Sequence, residues 1–251
     1  MEHSRYFIEF SYCGSAYHGW QRQPNALSVQ EVLEEALSRL LKQEISVIGA
    51  GRTDTGVHAR QMFAHFDMVI EEKQAQELVF QLNNFLPIDI VISSLKKVRP
   101  GAHARFDAVE RSYEYYLSIE KDPFNHPFHY YLKKAPDVDL MNDAAKILLN
   151  YNDFQCFSKS NTDVKTFLCN IKIADWQFNG KEFVFSITAN RFLRNMVRAI
   201  VGTLLEIGLK KRKVEDLIHV IESKDRSQAG YSVPAKGLFL TEIIYPKDIY
   251  I

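Results

Sequence analysis

Twice along this chain a run of aromatic and β-branched residues gives way to an amphipathic helical stripe and then to further strand-like runs, and that recurrence restricts the fold more than any other feature. Residues 5–13 (RYFIEFSYC) are rich in strand-favouring types and stop at Gly14, which predicts a strand. Ser28 then opens a capping box with Glu31, and Val29, Val32, Leu33, Ala36, Leu37, Leu40 and Leu41 recur at helical spacing, which predicts an amphipathic helix. A short strand near residues 45–48, a longer one over 61–69 (QMFAHFDMV), a helix ending at Pro87 with Leu78, Leu82, Phe85 and Leu86 on its apolar side, and a strand over 89–98 complete the first half.

The second half begins again with a strand, RSYEYYLSI at 111–119, followed by a helix over 137–149. Residues 167–178 and 181–189 read as a strand pair turned at Asn179-Gly180. Leu193, Met196, Val197, Ile200, Val201, Leu204 and Leu205 form one apolar stripe, which predicts a single long helix over Arg191–Gly208. A short helix over 214–223 and a strand over 237–245 close the pattern. It implies an α+β fold: two similar αβ halves, residues 1–107 and 108–251, sharing a mixed, mainly antiparallel sheet with helices packed on one face. No low-complexity linker separates the halves, so one continuous catalytic unit is expected.

Composition sets the outer limits. With 251 residues, 46% hydrophobic and 25% charged, the chain can bury a sizeable core and is not disordered. The most apolar stretch, AIVGTLLEIGL, is interrupted by Glu206, and the start of the chain has no basic segment followed by an apolar run. Neither a membrane span nor a signal peptide is expected. Cys13, Cys156 and Cys169 are odd in number and have no C-x-x-C spacing, which argues against a disulfide framework or a zinc site and for the cytoplasm. Net charge is zero, which by itself argues against nucleic acid. The charge is clustered, however: acids gather at Glu31, Glu34, Glu35 and at Glu71, Glu72, while Arg191, Arg194, Arg198 and Lys210-Lys211-Arg212-Lys213 leave one basic face possible.

Residues 49–60, GAGRTDTGVHAR, fall between two predicted strands, where chemistry is often displayed. Three partial readings compete for them. A dinucleotide fingerprint needs a third glycine at position 54, which is Asp, and a phosphate loop needs Lys after Gly56, which is followed by Val57. Asp54-Thr55-Gly56 matches an aspartic protease triplet, but the chain has one such triplet, and Arg52 and Arg60 favour a permanently ionised carboxylate over the shared proton of a protease dyad. An ionised Asp54 suits a nucleophile better.

Taken whole, GAGRTDTGVHARQMFAHF resembles the central motif of the tRNA pseudouridine synthase A (TruA) family, in which G-R-T-D-x-G-V-H-A surrounds the catalytic aspartate. Further family-like segments run nearly end to end: YCGSAYHGWQRQ, SVQEVLEEAL, LNNFLPIDI, HARFDAVERSYEYYL, ANRFLRNMVRAIVG and AGYSVPAKGLFL. Departures occur at Asn152 within YNDFQCF, at Cys169, and at Ser232 and Val233, and they bear on RNA contacts more than on the reaction.

The resemblance implies a pseudouridine synthase-like fold and an isomerisation that breaks the bond from ribose C1′ to uracil N1, turns the base and rejoins it through C5, with no metal and no cofactor. It assigns the attack to Asp54, at C1′ or at C6, and makes Arg198 the basic partner that keeps the carboxylate ionised. At 100° per residue Arg191, Arg194 and Arg198 share one border of the predicted helical stripe. Tyr113 matches the active-site tyrosine and offers a platform for an unstacked base, and Arg52 is placed to enter the space the base vacates. His58, Arg60, His103 and Arg105, with Arg191 and Arg194, are candidate RNA contacts, whereas Trp20 in GWQRQ is either RNA-facing or core. The implied substrate is uridine at positions 38, 39 and 40 in the tRNA anticodon stem-loop, and the implied assembly is a cytoplasmic homodimer. An RNA-binding module without catalysis is the rival from another class.

Overall fold

The computed structural model describes residues 4–69, 72–159 and 164–251; Glu71, one of the clustered acids, lies outside them. In chain order the regular elements are β1 (Ser4–Tyr12), α1 (Val29–Leu41), β2 (Ile48–Gly49), β3 (His58–Met68), α2 (Glu72–Phe85) and β4 (Ile90–Val98). There follow β5 (Glu110–Ser118), β6 (Tyr130–Tyr131), α3 (Val138–Leu148), β7 (Ile171–Phe178), β8 (Glu182–Ala189), α4 (Met196–Gly208), α5 (Asp216–Ser223) and β9 (Leu238–Ile244). The fold is α+β with a mostly antiparallel arrangement of strands, and no helix among the described residues is long and apolar enough to cross a membrane.

The chain divides into two compact units, Met1–Val109 with Leu240–Ile251, and Glu110–Phe239. In the first, the strand order is β4-β1-β3-β9, with β2 on β3. β1 runs antiparallel to both neighbours, pairing Ile8 with Ala64 on β3 and with Leu95 on β4. Its residues Tyr6, Phe7 and Ile8 are all buried, so both faces of this strand are covered. Phe7 explains how: Tyr245 meets its ring at 5.0 Å and Tyr250 at 6.4 Å. That is also why the division differs from a simple cut between residues 107 and 108. The final segment returns to the first unit because its aromatic residues supply the cover that Phe7 and Phe63 need.

α1 begins where Ser28 Oγ accepts the Glu31 N–H at 3.3 Å, and it buries Val29, Leu33, Ala36 and Leu37. The strand expected at 45–48 shifts to Ile48–Gly49. Its backbone is held by side chains of α1 instead: Ser38 Oγ accepts from Ile45 N, Glu34 Oε1 accepts from Val47 N at 3.0 Å, and Gln30 Nε2 donates to Val47 O.

In the second unit β8 lies between β5 and β7, antiparallel to both, and β6 adds parallel to β5. The β7–β8 hairpin turns at Asn179-Gly180, where Gly180 has φ +95° and Asn179 Oδ1 accepts from the N–H groups of Lys181 and Glu182. Asn142 clasps α3 to β7, its amide bonding both the N–H (2.7 Å) and the carbonyl (2.9 Å) of Trp176. α4 is buried along nearly its whole length, but it starts at Met196, not at Arg191. Asn195 sits in the left-handed region at φ +67° with its side chain bonded to Ser232 Oγ at 2.6 Å, and that conformation keeps residues 191–195 out of the helix. The shared helical border expected for Arg191, Arg194 and Arg198 therefore does not exist.

Candidate active site

Asp54 lies on the connection from β2 to β3, and the local sequence explains its display. Val57 N–H donates to Asp54 O at 3.1 Å, closing a four-residue turn whose third residue is Gly56 at φ +78°. Only glycine enters that region without strain. Residues 12–20 hold the loop further: Trp20 N–H donates to Thr53 O, Gly56 N–H donates to Tyr17 O, and the side-chain hydroxyls of Tyr12 and Thr53 bond each other at 2.8 Å. Gly14 completes the cradle. Its N–H donates to His58 Nδ1 at 3.0 Å, and a Cβ at this position would stand 2.0 Å from Val57 O. Asp54 itself is half-buried, and Arg52 and Arg60 are exposed.

His58 faces inward with 1% of its surface exposed. Because Nδ1 accepts from Gly14, the ring proton sits on Nε2 and the imidazole serves the cradle rather than the solvent face. Trp20 is likewise core, tilted against Phe10 with 5.3 Å between ring centres. Tyr17 donates to Asp89 Oδ1 at 2.6 Å, and burial followed by that carboxylate holds its hydroxyl well above the usual phenol range. The segment YCGSAYHGW is thus the support of the aspartate loop. Its mixture of glycines and aromatic residues was the available signal, because close backbone approach and stacked rings demand those types.

A second feature of the same unit surrounds His103 and Arg105. His65 Nδ1 accepts from Ala104 N at 3.1 Å, and Tyr245 donates its hydroxyl to Ala104 O at 2.6 Å. His103 Nδ1 accepts from the N–H groups of Arg105 and Phe106. Burial, then the positive charge of Arg5, lowers both imidazoles, His65 to about 4 and His103 below its ordinary value. Arg105 stands exposed beside them.

In the other unit Tyr113 is half-buried on β5 and meets Phe192 edge to face, 5.1 Å between ring centres at 87°. Tyr115, on the same face by alternation, is instead fully buried and donates to Pro234 O at 2.8 Å, with burial raising its hydroxyl far above the usual range. Arg198 is half-buried in the first turn of α4. Its Nε donates to Val233 O at 2.7 Å while Val233 N donates to Arg198 O at 3.2 Å. This clasp uses only the backbone of Val233, so it does not depend on the side chain at that departure from the family pattern. Ser232, the neighbouring departure, accepts from Asn195 Nδ2 and from Arg226 Nη2 (2.9 Å). Arg191 is half-buried and Arg194 exposed, both in the non-helical lead into α4.

Among the described cysteines, Cys156 and Cys169 are buried and free, and burial pushes their thiols up to about 12 and about 11. Neither supplies a thiolate nucleophile near neutral pH. Asp54 is the carboxylate that the loop between β2 and β3 carries.

Comparison with known proteins bears on what such a loop serves. The model of a family described as tRNA pseudouridine synthase matches residues 9–107 and 144–246. A tRNA pseudouridine synthase A of Parabacteroides distasonis is 50% identical over 249 residues, covering 98% of each chain. The protein of the same name from Bacteroides fragilis is 49% identical over the full length of both chains. One from Thermoanaerobacter sp. is 38% identical over 240 residues, 95% of this chain and 98% of its own.

Proposed function

Because the chain belongs to the tRNA pseudouridine synthase family, and is thus a tRNA-uridine isomerase, we propose that it acts through Asp54 on uridines 38, 39 and 40 of the anticodon stem-loop. The isomerisation breaks N1–C1′ and forms C5–C1′, and the proton released from C5 is balanced by the one N1 gains. No oxidant is consumed. The reaction calls for a carboxylate held at a fixed approach to the sugar or the ring.

The observation that carries this reading is the cradle around Asp54. The loop's backbone is tied to Tyr17 and Trp20 and closed by the Asp54–Val57 bond, and its Thr53 side chain is tied to Tyr12, so positional freedom is removed before substrate arrives. In this scheme Arg52, exposed two residues earlier, fills the space left by the target base. Tyr113 holds the base flat, and Arg198, braced on Val233, supplies the cation that keeps the attacking carboxylate charged. Arg60, His103, Arg105, Arg191 and Arg194 are the remaining candidates for sugar and phosphate contact; His58 acts through the loop. The protein works in the cytoplasm as a homodimer with tRNA across both subunits, an arrangement that lets a chain of zero net charge present one joined basic cleft.

The decisive experiment is Asp54→Ala with tRNA carrying tritium at uridine C5. We expect tRNA binding within a few fold of the parent and abolished tritium release. Unchanged release refutes the nucleophile assignment. Pseudouridine mapping in tRNA from cells with and without the protein tests the three positions, and sedimentation tests the dimer.

A further inference from the structure

Phe106 is 74% exposed, although the segment that carries it is held by several hydrogen bonds. His103 N–H donates to Asp107 Oδ2 at 2.7 Å, and Asp107 N–H returns to His103 O at 3.0 Å. The N–H groups of Arg105 and Phe106 both end on His103 Nδ1, Ala104 is gripped from both sides by His65 and Tyr245, and Arg5 Nη1 donates to Ala102 O. A lone exposed apolar side chain is ordinary. An exposed ring held by a rigid turn is different, since its orientation is paid for in advance of any contact.

The company of the ring indicates what it receives. Its centre lies 4.2 Å from the His103 ring at 34°, and the Arg105 guanidinium carbon is 5.6 Å from its centroid. His103 in turn meets His65 edge-on at 4.6 Å, which extends the aromatic contact into the buried interior. Arg105 is exposed beside the ring, and the exposed Arg99 pairs with Asp107, the next residue along, at 3.6 Å. A flat, polarisable group carrying its own negative charge would find a ring for its face and cations for its phosphate.

We propose that Phe106, backed by His103 and flanked by Arg105, is a stacking platform for an unpaired base of the tRNA substrate, separate from the base that is isomerised. The proposal rests on tRNA being the substrate, as the family membership gives. Stacking on an exposed aromatic side chain is sequence-tolerant because every base presents a π-face, so the platform selects an unstacked nucleotide at a fixed place rather than a particular letter.

The test is tRNA binding and tritium release for the full chain with Phe106→Ala, Phe106→Leu, Phe106→Tyr and Phe106→Trp. Loss of one stacked base weakens binding by about 5- to 150-fold. The Ala and Leu variants are expected in that range, whereas the Tyr and Trp variants restore binding. The slope of log affinity against log salt stays that of the parent in the Phe106→Ala variant, because no phosphate contact is removed. With Phe106→Trp, the added exposed indole emits to the red of the two buried ones, Trp20 and Trp176, and tRNA quenches that component. Equal binding by the parent, Ala and Leu variants overturns the proposal, and so does rescue by Leu, which would reduce the ring to bulk. A change in sedimentation with unaltered affinity also overturns it, by assigning the ring to a protein contact. If the parent itself neither binds tRNA nor releases tritium, the functional reading fails first.

Discussion

Substituting Gly14 by alanine tests whether the cradle places the aspartate. The added Cβ would lie 2.0 Å from Val57 O and 2.7 Å from Val57 C, whereas carbon and oxygen approach no closer than about 3.3 Å even in a Cα–H···O contact. Something must therefore move by about 1.3 Å. Both atoms met are backbone, so no flexible side chain can yield. Gly14 is further tethered through its own N–H to His58 Nδ1 at 3.0 Å, and Val57 is bonded to Asp54 O at 3.1 Å. Displacement of Val57 thus passes through one hydrogen bond to Asp54. A misplacement of about 1 Å costs roughly 100-fold in rate, and overpacking of this kind destabilises by about 1–3 kcal/mol, or very roughly 2–12 °C in Tm for a chain of this size. We expect Gly14→Ala to lose about two orders of magnitude in single-turnover tritium release while tRNA affinity falls far less, because the charges that bind phosphate are untouched. A variant with parental release rate and parental Tm would refute the argument that this contact positions Asp54.

Two other expectations follow from burial. His65 is held at about 4 in the fold against about 6.5 in the unfolded chain. Between those values the unfolded chain binds the extra proton, so stability is full above about pH 6.5, falls as pH drops towards about 4 and levels off below it, a loss on the order of 3 kcal/mol. Urea unfolding at about pH 7 and about pH 4.5 measures it, and His65→Asn, which keeps an acceptor for Ala104 N–H, should flatten that limb; an equally steep limb in the variant would assign it elsewhere. Thiol titration of the native protein should find Cys13 reactive and Cys156 and Cys169 silent until unfolding, and immediate reaction of all three would contradict their burial.

How much was legible in the sequence depended on the range of the interactions that decide each element. α1 and the β7–β8 hairpin are specified by neighbours, a Ser28 cap and an Asn179-Gly180 turn, and both stand where the residues predict them. The start of α4 is not. Its apolar stripe runs back to Leu193, but Asn195 is pinned by Ser232, 37 positions away, and no local pattern reports that bond. Tyr113 and Tyr115 illustrate the same limit within a site: alternation puts them on one face, and only contacts with Phe192 and Pro234 separate a half-exposed ring from a core one. The aspartate loop was legible as a connection between strands. Its support was legible only as a mixture of glycines and aromatic residues, because YCGSAYHGW works by approaching residues 49–58 rather than by any periodicity of its own.

The return of Leu240–Ile251 to the first unit has a consequence for synthesis on the ribosome. The second unit occupies one uninterrupted segment, Glu110–Phe239, and every residue it needs has been made by the time β9 passes from Phe239 to Leu240. The first unit starts earlier and finishes later. β3 lacks its β9 neighbour, and Phe7 and Phe63 lack Tyr245, until the segment after Phe239 is made. At roughly 5–20 residues per second that interval lasts on the order of 10 s. The unit that carries the aspartate thus starts to emerge before the second unit and closes after it.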